Sequence, residues 1–161
     1  MAIDAFLKLG TIKGESVADG HKDEIDLLSF NWGMSQTGSM HTATGGGTGK
    51  VDVNDLVVTH LLDAASPNLA LACCLGTHHE SAVLTLNKAG GDKLPYLTLT
   101  LTDVLITQVS HGASIGDERP VESVSLNFAK FKYSYQPQDA KGAKKGGAVE
   151  TGYDISLNKK S

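Results

Sequence analysis

Arginine is almost missing from this 161-residue chain, where Arg119 stands alone among 14 basic residues. Arginine is the usual fork for phosphate, and the formal net charge is −4. The basic footprint of a nucleic-acid binder is therefore absent. Long apolar runs are lacking too. No stretch of about 18 apolar residues occurs, which excludes a transmembrane helix. The opening MAIDAFLKLG carries Asp4 and too short an apolar core for a signal peptide, so it reads as a first strand of a chain that starts in the cytoplasm. The cysteines are only two, adjacent at Cys73 and Cys74, and make no disulfide framework. Aromatic residues reach only 6%, which argues against a binding platform of exposed rings.

Glycine is the abundant residue: 18 copies, following no Gly-X-Y period, so collagen is excluded. A content of 40% hydrophobic and 20% charged residues is that of a globular chain, read as one domain over 1–161. Alternation with a period of two dominates. Ile3, Ala5, Leu7 and Leu9 mark one face of a first strand, closed by Gly10. In Ile25–Trp32, Leu28, Phe30 and Trp32 share what reads as a core face, opposite Ser29 and Asn31. Further strands are predicted over 55–62, 81–88, 96–109 and 121–135, with a last short one through Tyr153, Ile155 and Leu157. Both faces turn apolar near Val104–Ile106, and the phase slips between Phe128 and Phe131. Such slips mean a bulge, or a face covered from outside.

One segment breaks the period. Ser66–Gly76 has a capping serine, a proline at the first helical position and a glycine past the end, which predicts a short helix over about 66–75. Leu69, Leu71, Ala72, Cys73 and Leu75 leave it little polar face, so it is expected to be largely packed. The pattern is mainly β, seven or eight strands with one helix, suited to a sandwich or barrel. Two loops interrupt it: an extended loop over 37–50 and a flexible, lysine-bearing loop over 136–152.

Three constellations invite a chemical reading, and each fails a requirement. Gly45-Gly46-Gly47-Thr48-Gly49-Lys50 resembles a phosphate loop, but Thr44 stands where the motif needs glycine and Val51 where it needs Ser or Thr. A flexible or partner-contacting loop is the better account. Cys73, Cys74, His78 and His79 lie close together, yet adjacent helical cysteines diverge by about 100° and do not chelate one ion. His60, Asp63 and Ser66 contain the residue types of a hydrolase triad, without the G-x-S-x-G elbow. Asp23, Glu24 and Asp26 read as a solvated approach to a strand. No catalytic, metal or cofactor site is assigned.

The ordered set His21–Leu28 (HKDEIDLL), Trp32–Ser39 (WGMSQTGS), the loop through Gly45–Lys50, the helix Ser66–Gly76 with His78, Lys88–Gly91 (KAGG), Tyr96–Leu105, Gly116–Pro120 (GDERP) and Glu122–Phe128 (ESVSLNF) resembles the haemolysin-coregulated proteins, Hcp, of type VI secretion. The likeness runs through essentially the whole chain. It implies a compact β-barrel of two packed antiparallel sheets with one flanking helix. Copies would close into a homohexameric ring, and rings would stack into the inner tube of the apparatus, meeting its sheath and spike. Small secreted effectors would ride in the lumen, with Ser29 and Asn31 facing them. The loop Gly45, Gly46, Gly47, Thr48, Gly49 and Lys50 would reach a neighbouring subunit or ring. The resemblance further implies a structural, non-enzymatic protein without cofactor, nucleic-acid partner or membrane insertion, secreted from the cytoplasm without a cleavable signal peptide. A monomeric ligand- or carbohydrate-binding β-sandwich is the alternative that the alternation alone leaves open.

Overall fold

The computed structural model describes residues 3–38, 40–41, 49–88 and 94–161. The first strands are β1 (Ile3–Leu9), β2 (Ile25–Leu27), β3 (Ser29–Asn31), β4 (Met34–Ser35), β5 (Asp52–Val53) and β6 (Leu56–Leu61). Helix α1 (Ser66–Leu75) follows, then β7 (His78–Lys88), β8 (Pro95–Gly112) and β9 (Val121–Tyr135). The chain ends with β10 (Val149–Asp154) and β11 (Lys159–Lys160).

Nine strands share one sheet, and β4 and β5 form a separate two-stranded ladder; every pairing is antiparallel. One edge of β9 has two tenants. Val121–Leu126 pairs with β6, whereas Lys130–Tyr135 pairs with β10. The sheet therefore has two halves joined by the long β8–β9 hairpin. One half is β3, β6 and the adjoining parts of β9 and β8. The other runs β11-β10-β9-β8-β7-β1-β2. These halves are the two packed antiparallel sheets that the resemblance implied, bent over one core. The chain completes the circuit at Leu28, between β2 and β3, whose amide donates to Thr59 O at 2.8 Å.

The bend explains the phase slip. Asp103 adopts φ +58°, a left-handed conformation uncommon for a non-glycine residue. Leu99 and Leu101 are buried before it, and Val104 and Ile106 after it. Across the ladder Leu101 faces Phe131 and Val104 faces Phe128, in unbroken register, and both phenylalanines are buried. Both strands exchange faces together, as strands do when they cross from one packed sheet to another. A separate bulge falls between Ile106 and Gln108, which answers the apolar stretch near Val104. One cluster, including Leu7, Leu56, Leu84, Leu101, Leu126 and Phe131, fills the space between the halves.

Helix α1 differs from its sequence reading in two respects. Ser66 is its first residue and not its cap: Ala65 holds the cap position without a side-chain bond. Asp63 takes the capping role one step earlier, its Oδ1 accepting from Ala65 N at 2.9 Å, while Ser66 Oγ accepts from Asp63 N at 3.1 Å. Nor is the helix largely packed. Ser66, Leu69 and Ala72 are buried, but Leu71 is 55% and Leu75 70% exposed. A helix apolar all round still presents only one side to the core. Its end matches expectation: Gly76 is left-handed at φ 61° and its neighbour Thr77 donates to Ala72 O at 3.0 Å.

The C-terminal strand also shifts. β10 stops at Asp154, so Ile155 and Leu157 lie in a turn instead of a strand. The Asp154 carboxylate draws that turn in, accepting from Ser156 Oγ at 2.6 Å and Leu157 N at 3.0 Å. β10 itself begins at Val149, inside the segment read as a flexible loop. The rest of that segment is gathered by Asp139 Oδ1, which accepts from Lys141 N and Ala143 N at 2.8 and 3.0 Å.

The Ser156 hydroxyl and then the Leu157 amide hold the Asp154 carboxyl below its ordinary range. A depressed carboxylate stabilises the fold above its unfolded value and loses that contribution as pH falls through the folded one. Asp154→Ala is therefore expected to lower the melting temperature by a few degrees at neutral pH. The gap to the parent chain should close as pH falls below about 4, measured by circular dichroism.

Candidate functional site

The half-sheet of β3, β6, β9 and β8 presents an outward wall. Residues opposite one another in antiparallel strands share a face. The registers therefore align Ser29, Thr59, Ser123 and Ser110 in one row and Asn31, Val57, Ser125 and Gln108 in the next. The wall is hydroxyl and amide throughout, with Val57 the one aliphatic member and no ionisable or aromatic side chain in either row. Ser29, Asn31, Gln108 and Ser110 are exposed. Ser29 Oγ and Thr59 Oγ1 are hydrogen-bonded to each other across the ladder. Below these rows Asp55 clamps the strands, its Oδ1 accepting from Asn127 Nδ2 at 2.9 Å and its Oδ2 from Thr107 Oγ1 at 2.7 Å. Thr107 is the residue left over by the bulge.

Both lateral edges of this wall are open. Among the described residues β3 pairs only with β6. On the other side, the β7–β8 ladder ends at His78 and Leu105, so the remainder of β8 to Gly112 pairs with β9 alone. Leu62 N donates to Pro120 O, so along β6 the amides of Leu56, Val58 and His60 turn to β9 and those of Val57 and Thr59 turn to β3. Ser29 and Asn31 therefore bond with Thr59 and Val57, and the Phe30 amide points to the open side.

Behind the wall the same registers line up His60, Glu122 and His111. Glu122 and His60 are fully buried, with His60 Nε2 at 2.8 Å from Glu122 Oε1 and His111 Nε2 against the other oxygen. His60 Nδ1 lies 3.7 Å from Asp63 Oδ2, and burial pushes the Asp63 carboxyl above its usual range. The structure thus brings His60 and Asp63 together but not in a triad: Ser66 Oγ is turned to the Asp63 amide, and His60 is sealed from solvent. This arrangement anchors strands.

Sequence alternation misplaced two side chains. Phe30 does point behind the wall, opposite Val58, but it is 39% exposed, and Leu28, in the bend before β3, is 58% exposed instead of core. Among the described residues β3 has no strand on its outer side to cover them. Only Trp32 of that trio packs inward, 5.0 Å edge-on from Phe131. It lines an apolar pocket of about 560 Å³ with Met34, Val53, Tyr133 and Tyr153. That pocket lies at the root of the extended loop, where Met34–Val53 and Ser35–Asp52 pair. Of the glycine cluster, Gly49 and Lys50 are exposed, with Gly49 beside Thr37; Gly45, Gly46, Gly47 and Thr48 lie outside the described residues.

The remaining motifs disperse. Cys73 is half-buried against the core, and Cys74 is exposed. His78 turns to Asp103 at 3.3 Å. Glu24 of the acidic group pairs with His21 at 2.8 Å, and His21 stacks on Phe6 at 4.2 Å. The wall partners Thr59, Ser123, Ser125, Gln108 and Ser110 escaped the sequence reading. Their signal was present in DLVVTHLL and ESVSLNF, where small polar residues alternate with aliphatic ones. Removing the buried carboxylate with Glu122→Ala leaves two imidazoles without their acceptor. It should cost about 3–5 kcal/mol of stability, read by chemical denaturation.

Residues 6–135 match the protein family described as "Type VI secretion system effector, Hcp". Protein hcp1 of Pseudomonas aeruginosa is 51% identical over 159 residues, covering 98% of each chain. The crystal structure of Hcp1 from Salmonella typhimurium is similar with a TM-score of 0.83 at 39% identity, covering all of both chains. A solved type six secretion system protein superposes with a TM-score of 0.94 at 33% identity, covering 99% of this chain and 100% of the other.

Proposed function

Because this chain belongs to the Hcp family of type VI secretion effectors, we propose that its copies close edge to edge into hexameric rings, which stack into a secretion tube and carry small effectors in the lumen. The family is a structural one, of secreted proteins. The observation that carries the finer reading is the pair of open edges on one polar wall. Unpaired strand edges invite uncontrolled pairing, and natural proteins cover, charge or consume them. β3 and β8 run antiparallel to each other, being three ladders apart. The β3 edge of one copy therefore suits the β8 edge of the next, and repetition of this heterologous contact closes a ring.

In that ring the rows through Ser29 and Asn31 line the lumen. Their lack of rings argues for a conduit and against the carbohydrate-binding alternative, whose platforms are aromatic. The extended loop over 37–50 joins β4 to β5, and Gly45, Gly46, Gly47, Thr48, Gly49 and Lys50 are its contact with the next ring. Sheath and spike components are the external partners. Assembly takes place in the cytoplasm, and export follows. The role needs no cofactor, metal or nucleic acid, and no membrane insertion; no helix of the described residues is long and apolar enough to cross a membrane.

Native mass spectrometry and electron micrographs of the purified protein test the ring. Hexameric rings are expected at micromolar concentration. A stable monomer there would overturn the reading. Phe30→Pro removes an amide facing the open edge and spares the bonds of the β6 ladder, so it should shift rings to monomers while the melting curve stays cooperative. Asn31→Arg adds a charge to the lumen face. Rings should persist while co-purification of an effector drops at least severalfold; unchanged retention would remove Asn31 from the cargo surface.

A further inference from the structure

Two apolar pairs lie exposed at opposite flanks of the wall. At β3 and the bend before it they are Phe30 and Leu28. On α1 they are Leu71 and Leu75, one helical turn apart and so on the same helix face. We propose that the Leu71–Leu75 face of α1 is a docking surface for a second copy of this chain, and that its occupant is the Leu28–Phe30 pair of that copy. The proposal rests on the edge-to-edge ring.

Three observations converge on that occupant. First, α1 packs against β8 and ends just before His78, which lies opposite Leu105, where the open edge of β8 begins. The helix face thus stands beside the edge that awaits a strand. Second, register decides which side chain an incoming β3 delivers there. Phe30 stands opposite buried Val58 and so projects to the rear, the side on which Val109 and His111 stand in β8, with exposed Leu28 in the bend just before it. α1 closes the core on that side through Leu69 and Ala72. Third, neither pair has cover among the described residues of its own copy, whereas Ala72 beside Leu71 and Val58 opposite Phe30 are sealed. A second copy supplies both missing halves at once. Leucine and phenylalanine bury against leucine with no polar group stranded, and each contact removes apolar surface from water on both partners. Half-exposed His111, tied to buried Glu122, would be enclosed at the same seam.

The test uses thiol chemistry already in the chain. Cys74 is exposed between Leu71 and Leu75 in sequence. Leu28→Cys supplies the second thiol, and a short bismaleimide joins the two. On a denaturing gel a ladder of cross-linked species is expected, and Cys74→Ser added to the same chain should abolish it. Rings visible in micrographs without a Cys74-dependent ladder would overturn the docking surface and leave the ring standing. The ladder without rings would keep the contact and remove the ring. Loss of both sinks both. Independently, Leu71→Ser combined with Leu75→Ser should weaken ring formation at least tenfold with little change in the monomer's melting temperature, since both side chains are exposed there. Rings of parental stability in that variant would also overturn the proposal.

Discussion

The architecture depends on one constraint: a single edge of β9 serves β6 over its first residues and β10 over its last. The change of partner falls between Leu126 and Lys130. The hairpin bends there, and the left-handed Asp103 on the companion strand marks the bend. From it follow the exchange of faces and the enclosure of one core by two half-sheets. The separation of a charged outer surface from an uncharged one follows as well. Beyond the bend the outward residues of β9 are Lys130 and Lys132, the latter paired with Glu150 at 3.1 Å; before it they are Ser123 and Ser125.

The wall owes its form to what lies behind it. A row of small hydroxyls can remain on the front because the rear is held by aliphatic packing and by Glu122 between two imidazoles. In the rows through Ser29 and Asn31 no charge reaches the front. Asp55, half-buried at the lower end of the same face, spends both carboxylate oxygens on Asn127 and Thr107. Here sequence, packing and surface character form one chain of causes: carboxylates are directed into strand-to-strand bonds, and the two rows above Asp55 are left uncharged.

Alternation made most strands legible, because a period of two in β6, β7, β8 and β9 survives any tertiary context that buries one face. It also put Ser29 and Asn31 on the face opposite Leu28 and Phe30. What alternation could not report is what covers a face. Leu28, Phe30, Leu71 and Leu75 look like core residues in the chain and are exposed in a single copy, since the missing cover is not encoded next to them. Nor could it announce Asp103, where no glycine signals a left-handed residue. Asp154 was equally silent: a tyrosine, isoleucine and leucine at even spacing resemble a strand until one carboxylate folds them into a turn. The wall's rows combine residues up to 94 positions apart (Ser29 and Ser123), so only the register unites them.

In the proposed tube, the two uncharged rows of that wall have a kinetic consequence. Serine, threonine, asparagine and glutamine side chains can exchange hydrogen bonds with any passing polar surface, trading each for water at nearly equal free energy. An ionic lining would instead trap oppositely charged material and release it at a rate set by ionic strength. A lining of hydroxyls and amides offers many shallow stopping points and no deep one. Dwell time on such a surface depends on shape and contact area, and hardly on the isoelectric point of what moves across it.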